Sequence, residues 1–160
     1  MGMVDAILMV DWSAAARPKR GRDSIWIAAL SPDGETIENP STRSEATQRL
    51  IERLRDWAGR GWRTLAGFDF SFGWPRGFAA ALCGPGSDWR AVWPAIAADV
   101  RDAPDNAHTA HAWAARVNAR FPAPGPFWGD PSRGRRPAPP PVRRFAYGAP
   151  PERRWVELRV

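Results

Sequence analysis

The sequence predicts an α/β fold built on a mixed sheet, and three observations predict it. A nearly continuous apolar run at residues 3–12 (Val4, Ile7, Leu8, Met9, Val10) reads as a central strand covered on both faces. A second apolar run, 24–30, meets the turn signal Ser31-Pro32-Asp33-Gly34 and a third short run, 35–39, which together make a hairpin. A helical stretch then leads into another strand-like run at 62–70. A strand–hairpin–helix–strand order places the fourth strand parallel to the first, through the usual right-handed crossover. The chain has 160 residues, the size of one domain, and at 44% hydrophobic it can bury a core.

The helix has clear boundaries. Thr42 and Glu45 match a capping box, in which a hydroxyl and a carboxylate satisfy free helix-end amides. Ala46, Leu50, Ile51, Leu54, Trp57 and Ala58 fall on one face, and Gly59 and Gly61 supply the stop. Beyond the strand at 62–70, Pro75 suits the first turn of a short helix reaching about Leu82. Ser87 or Asp88 caps a further helix, interrupted or kinked by Pro94. Asp105 caps a third helix over roughly 106–119. Residues 121–151 are dominated by Pro, Gly and Arg and predict an irregular segment within a single domain spanning 1–160. The tail, RRWVELRV, reads as a strand that stops abruptly, which predicts that a longer protein has been cut at the C-terminus.

Composition excludes several classes. No run approaches the length of a transmembrane helix, and the apolar N-terminus lacks a basic leader, so a cytoplasmic protein without membrane contact is expected. The lone cysteine, Cys83, forbids an internal disulfide and reads as a structural thiol. The net charge is +6, and Lys19 is the one lysine among 23 basic residues. Codon bias in a GC-rich bacterial genome accounts for most of the arginine but not for its clusters. There is no glycine-rich nucleotide cradle. His108 and His111 lack further zinc ligands at suitable spacing and read as surface or pocket-edge residues.

The candidate site is a pair of carboxylates. Asp11 ends the first strand and Asp69 ends the fourth. Open α/β sheets bind ligands just beyond the carboxyl ends of parallel strands, and neighbouring strands lie about 4.8 Å apart. Two carboxylates held there repel unless a proton or a cation intervenes. Magnesium or manganese answers this, because such hard cations prefer carboxylate oxygen. The loop after Asp11 carries Arg17, Lys19, Arg20 and Arg22, a basic rim suited to a phosphate-containing substrate. Ser13 and Ser71 stand beside the two aspartates as substrate-binding hydroxyls. The competing reading is that both aspartates merely close turns. Seven arginines between 133 and 154, interleaved with Phe145, Tyr147 and Trp155, fit either a solvated connector or a surface for single-stranded nucleic acid.

The order strand with Asp, hairpin, helix, strand with Asp resembles the ribonuclease H-like superfamily. The stretches Val10-Asp11-Trp12-Ser13-Ala14 and Gly67-Phe68-Asp69-Phe70-Ser71-Phe72-Gly73-Trp74-Pro75 look more specifically like an uncharacterised, predicted-nuclease branch of it. The resemblance covers residues 3–75. Beyond them it rests on Asn118, the Phe127-Trp128-Gly129 turn and the stretch from Arg154 to Glu157. It implies a metal-dependent phosphodiester hydrolase with Asp11 and Asp69 as first and central ligands. The superfamily often adds a glutamate from the first helix, here Glu52 or Glu45. A later carboxylate is also usual, with Glu157, Asp99 and Asp102 as candidates. Two alternatives share the fold: a phosphotransferase of the actin and sugar-kinase type, and a non-catalytic domain binding nucleic acid or protein. Trp12 stands where the phosphotransferase loop needs glycine.

Overall fold

A computed structural model describes residues 3–70, 73–74, 77–120 and 127. They divide into two compact units where the sequence predicts one domain. The first comprises residues up to Phe70 together with Asp102–Ala107, and the second comprises 71–101 and the residues from His108 onward. Among the described residues no helix is long and apolar enough to cross a membrane.

The first unit is a four-stranded mixed sheet with one long helix. Strands β1 (Ala6–Asp11), β2 (Trp26–Ser31), β3 (Gly34–Glu38) and β4 (Thr64–Phe68) lie in the order β3-β2-β1-β4. β1 runs antiparallel to β2 and parallel to β4, as the crossover rule requires. The hairpin closes on the pair Ser31 and Gly34, and Gly34 takes a φ of 117° that an L side chain rarely adopts.

Helix α1 (Arg43–Gly59) packs on one face of this sheet. Leu8 and Val10 of β1 and Ile27 and Ala29 of β2 meet Ala46, Leu50 and Trp57 there. Each fully buried side chain of this size contributes about 1.5–3 kcal/mol. Ile51, expected on that face, is exposed, because the buried set follows the spacing 46, 50, 57 and leaves 51 to one side. The N-terminus is a displaced capping box: Thr42 Oγ1 accepts from Glu45 N–H, while the Glu45 carboxylate accepts from Ser41 N–H at 2.8 Å. That backbone bond is the chief reason the Glu45 carboxyl titrates below its ordinary range. The C-terminus is a Schellman motif, with Trp62 N–H to Trp57 O and Gly61 N–H to Ala58 O, and Gly61 at φ 74°. Trp62 is consumed in this cap, so β4 begins at Thr64 and not at 62.

The other sheet face departs from the sequence reading. Met9, Trp26, Leu30, Ile37 and Leu65 all lie exposed, so among the described residues β1 is covered on one face only. Its apolar run includes Ile7 and Met9, which belong to this outer face.

The second unit holds α2 (Phe78–Cys83), α3 (Trp89–Asp99) and α4 (Ala110–Asn118). Asp88 caps α3, and the helix carries through Pro94. Their core is Phe78, Val92, Trp113, Ala114 and Val117, with Trp74 stacked on Phe78 at 4.8 Å between ring centroids. Phe127 docks against Trp113, and the Asn118 amide bonds its backbone N–H and C=O, each at 3.0 Å. Cys83 is half-buried and points its thiol at Ala91 O, consistent with a packing role. Most of 121–151 and the whole tail lie outside the described residues.

The helix predicted from 106 starts at Ala110. Asn106 is buried in the first unit with φ 70°, and Asp105 closes only a local turn onto Ala107 N–H. Asn106 Oδ1 accepts from Arg43 N–H at 2.7 Å, and the Arg43 guanidinium uses all five of its donors. Nε and one Nη2 hydrogen form a fork on Asp102, the other Nη2 hydrogen meets Asn106 O, and Nη1 meets Ser13 O and Ala15 O. The Arg43 side chain is 8% exposed. Removing the guanidinium takes the donors from the carbonyls of Ser13, Ala15 and Asn106, and a buried acceptor left unpaired costs about 1–3 kcal/mol. Arg43→Ala is therefore expected to destabilise the protein by roughly 3 kcal/mol. Arg43→Lys, which lacks the planar fork, should recover only a minor part of it; denaturant unfolding of both variants checks this.

Candidate functional site

The two aspartates are brought together by strand register. β1 and β4 pair with a constant offset, Met9 opposite Gly67 and Val10 opposite Phe68. The ladder continues one step further through Asp69 N–H to Val10 O at 3.2 Å, which sets Asp69 beside Asp11. Asp11 alternates with buried Val10 and so stands on the outer face, opposite α1. Asp69 Oδ1 accepts from Trp12 N–H at 2.8 Å.

The two carboxyl groups line one cleft. A side-chain hydrogen bond to Asp69 is the leading cause that raises the Asp11 carboxyl above its ordinary range; desolvation and the charge of Asp69 add to it. Asp69 also accepts from the Trp12 backbone N–H, which holds its carboxylate in place beside Asp11. The pair is thus an anionic centre that binds a proton more readily than a lone carboxylate does.

The same row continues into an apolar cleft of about 320 Å³. Trp26 is the cross-strand partner of Asp11, and the next row runs Ile37, Ala28, Met9, Gly67. Met9 lies directly over Gly67: a Cβ there would come within 2.7 Å of the Met9 methyl carbon. Gly67 is therefore the residue that lets Met9 lie flat as the floor beside the carboxylates.

The remaining predicted site residues fall elsewhere. Glu52 accepts from Gln48 along α1 at 2.9 Å and lines a separate groove with Trp12, Thr47, Ile51 and Arg55. Since α1 packs on the inner face, Glu52 does not stand in the outer row with the aspartates. Glu45 is held by Ser41 and Arg49. Asp102 is spent on Arg43. Among the described residues no group of three or more His, Cys, Asp or Glu is gathered to hold a metal. Ser13 donates to Asp23 O and accepts from Ala15 N–H, so its hydroxyl shapes the loop. Lys19 pairs with Asp23 at 3.8 Å and Arg20 with Glu45 at 3.7 Å. Long, exposed pairs of this kind bind weakly and exchange readily for another anion. Arg17 is exposed, and its carbonyl accepts from Asn106. Ser71 and Glu157 lie outside the described residues. His108 and His111 meet edge to face at 5.1 Å, with His108 ahead of α4 and not on its face.

Sequence reasoning missed Trp26 and Arg43. Trp26 is readable in retrospect, because hairpin register sets it opposite the strand-end aspartate. Arg43 carries no such signal. No protein-family model, no curated protein and no solved structure matches the chain.

The raised Asp11 carboxyl has a definite sign for stability. A carboxyl whose folded-state pKa lies above its unfolded value binds more protons when folded, so stability falls as pH rises through the interval between the two values. Asp11→Asn removes that loss. In metal-free buffer the variant is expected to melt above wild type at neutral pH. The gap should close as pH is lowered toward the carboxylate range, as thermal melts across pH would show.

Proposed function

We propose that the chain is a metal-dependent phosphodiester hydrolase of ribonuclease H-like architecture, with Asp11 and Asp69 as the ligands of a magnesium or manganese ion. One observation carries this reading: two carboxylates set side by side in one cleft at the carboxyl ends of adjacent parallel strands, where α/β sheets place their ligands. The strand order β3-β2-β1-β4, with an aspartate ending each of the two parallel strands, supports the architecture.

The donor set fits such an ion. It consists of exposed carboxylate oxygens alone, and magnesium characteristically takes one or two carboxylates and keeps several waters. A bound ion would supply Lewis acidity and a water of lowered pKa. The chain's own contributions are positional. Trp12 N–H fixes the Asp69 carboxylate, and the register of β1 and β4 sets it beside Asp11. A nucleic-acid or other phosphate-containing substrate is consistent with the +6 charge.

Calorimetric titration with Mn²⁺ tests the reading. Wild type is expected to bind the ion, and both Asp11→Asn and Asp69→Asn are expected to lose that binding while remaining folded. A folded wild type without binding would overturn the metal reading. Cleavage of nucleic-acid substrates should likewise require the metal and fall to background in Asp69→Asn.

A further inference from the structure

The outer face next to the aspartates is apolar and aromatic, which a site made only to hold phosphate does not need. Trp26 stands directly across the ladder from Asp11 and is 38% exposed. Residues directly opposite on one face of an antiparallel pair have Cβ atoms about 5 Å apart, so the indole adjoins the carboxylate pair. Met9 and Ile37 of the next row are 51% and 65% exposed. Together these side chains make the floor of the cleft that Asp11 and Asp69 close at one end.

The indole is held in place. Its Nε1–H donates to Gly21 O at 3.1 Å, and Gly21 N–H donates to Asn39 Oδ1 at 2.7 Å. The Asn39 amide in turn bonds Ser24 Oγ and Ile25 O. A ring fixed before binding loses little conformational freedom when something stacks on it. The carbonyl that fixes it belongs to Gly21, whose neighbours in the chain are Arg20 and Arg22. Both arginine side chains are exposed, at 64% and 95%, and their ion pairs span 3.7 Å. The ring edge is therefore held by a loop that carries two arginines, of which Arg22 is 95% exposed while the Arg20 guanidinium reaches Glu45 of α1.

We propose, resting on the two-carboxylate metal reading above, that Trp26 is a stacking platform for an unpaired base. A phosphodiester of the same strand would reach Asp11 and Asp69, and Arg22 is the exposed cation on the loop that holds the ring. The substrate class is single-stranded nucleic acid. A base in an intact duplex has both faces covered by its neighbours and presents no ring to a flat indole, whereas every unpaired base presents a π-face.

Fluorescence anisotropy of the full chain with a labelled single strand of about 12 nucleotides, and with the matching duplex, tests this in chelator, where no metal contributes. Wild type is expected to prefer the single strand. Trp26→Ala and Trp26→Leu should each weaken single-strand binding by roughly tenfold. The leucine variant retains apolar cover on the sheet and guards against simple unfolding, which circular dichroism would register. Mn²⁺ binding should persist in both. Asp69→Asn should show the converse, losing Mn²⁺ while keeping single-strand affinity in chelator. A folded Trp26→Leu protein that binds the single strand as tightly as wild type overturns the platform. So does a wild type that prefers the duplex. Trp26-dependent single-strand binding in a wild type that takes up no Mn²⁺ supports the platform and removes only the metal reading.

Discussion

The first unit depends on a single buried guanidinium. Arg43 sits at the first position of α1, and its five N–H groups reach the loop after β1 and the segment Asp102–Ala107. Two of the carbonyls it binds, those of Ser13 and Ala15, belong to the chain immediately after Asp11 and Trp12. The path of that chain sets Trp12 N–H against Asp69. A residue outside the carboxylate pair thus anchors the loop that follows Trp12, whose N–H holds the Asp69 carboxylate. Full satisfaction of the donors is what makes the burial tolerable, since a guanidinium with missing partners would leave its charge desolvated and uncompensated.

The sheet divides its two faces by chemistry. The inner face is an ordinary apolar interior under α1. The outer face combines exposed apolar side chains with the acidic pair at one end and Trp26 beside it. Extended apolar exposure on a small unit marks a surface that meets something. The same register that brings the aspartates together also sets Trp26 against them, so binding surface and charged centre come from one pairing scheme.

Much of this was legible in the sequence, for reasons that can be stated. The hairpin, α1 and the parallel return of β4 announced themselves through short-range signals: Pro32-Asp33-Gly34, Thr42 with Glu45, and Gly59 with Gly61. Asp11 and Asp69 stood out because each ends an apolar run. What stayed hidden depended on distant partners. Nothing local marks Arg43 for burial, since its ligands lie 59 and 63 positions downstream. Asp105 looked like a helix cap because Asn106 gives no sign of its left-handed backbone or of its tie to Arg43, and Thr109 precedes the actual helix. The apolar run of β1 looked doubly covered because exposed Met9 is indistinguishable in sequence from buried Leu8. Glu52 was placed at the site by analogy, and the packing of α1 on the opposite face put it elsewhere.

The constant offset between β1 and β4 separates what can vary in this chain from what cannot. Length changes confined to the turns between the two strands need not alter that offset, so Asp69 still arrives beside Asp11. Within Thr64–Phe68 parity rules instead. One inserted residue there turns every following side chain to the opposite face, carrying Asp69 toward α1 and leaving Asp11 alone. The five residues of β4 thus hold a register that the turns before them do not.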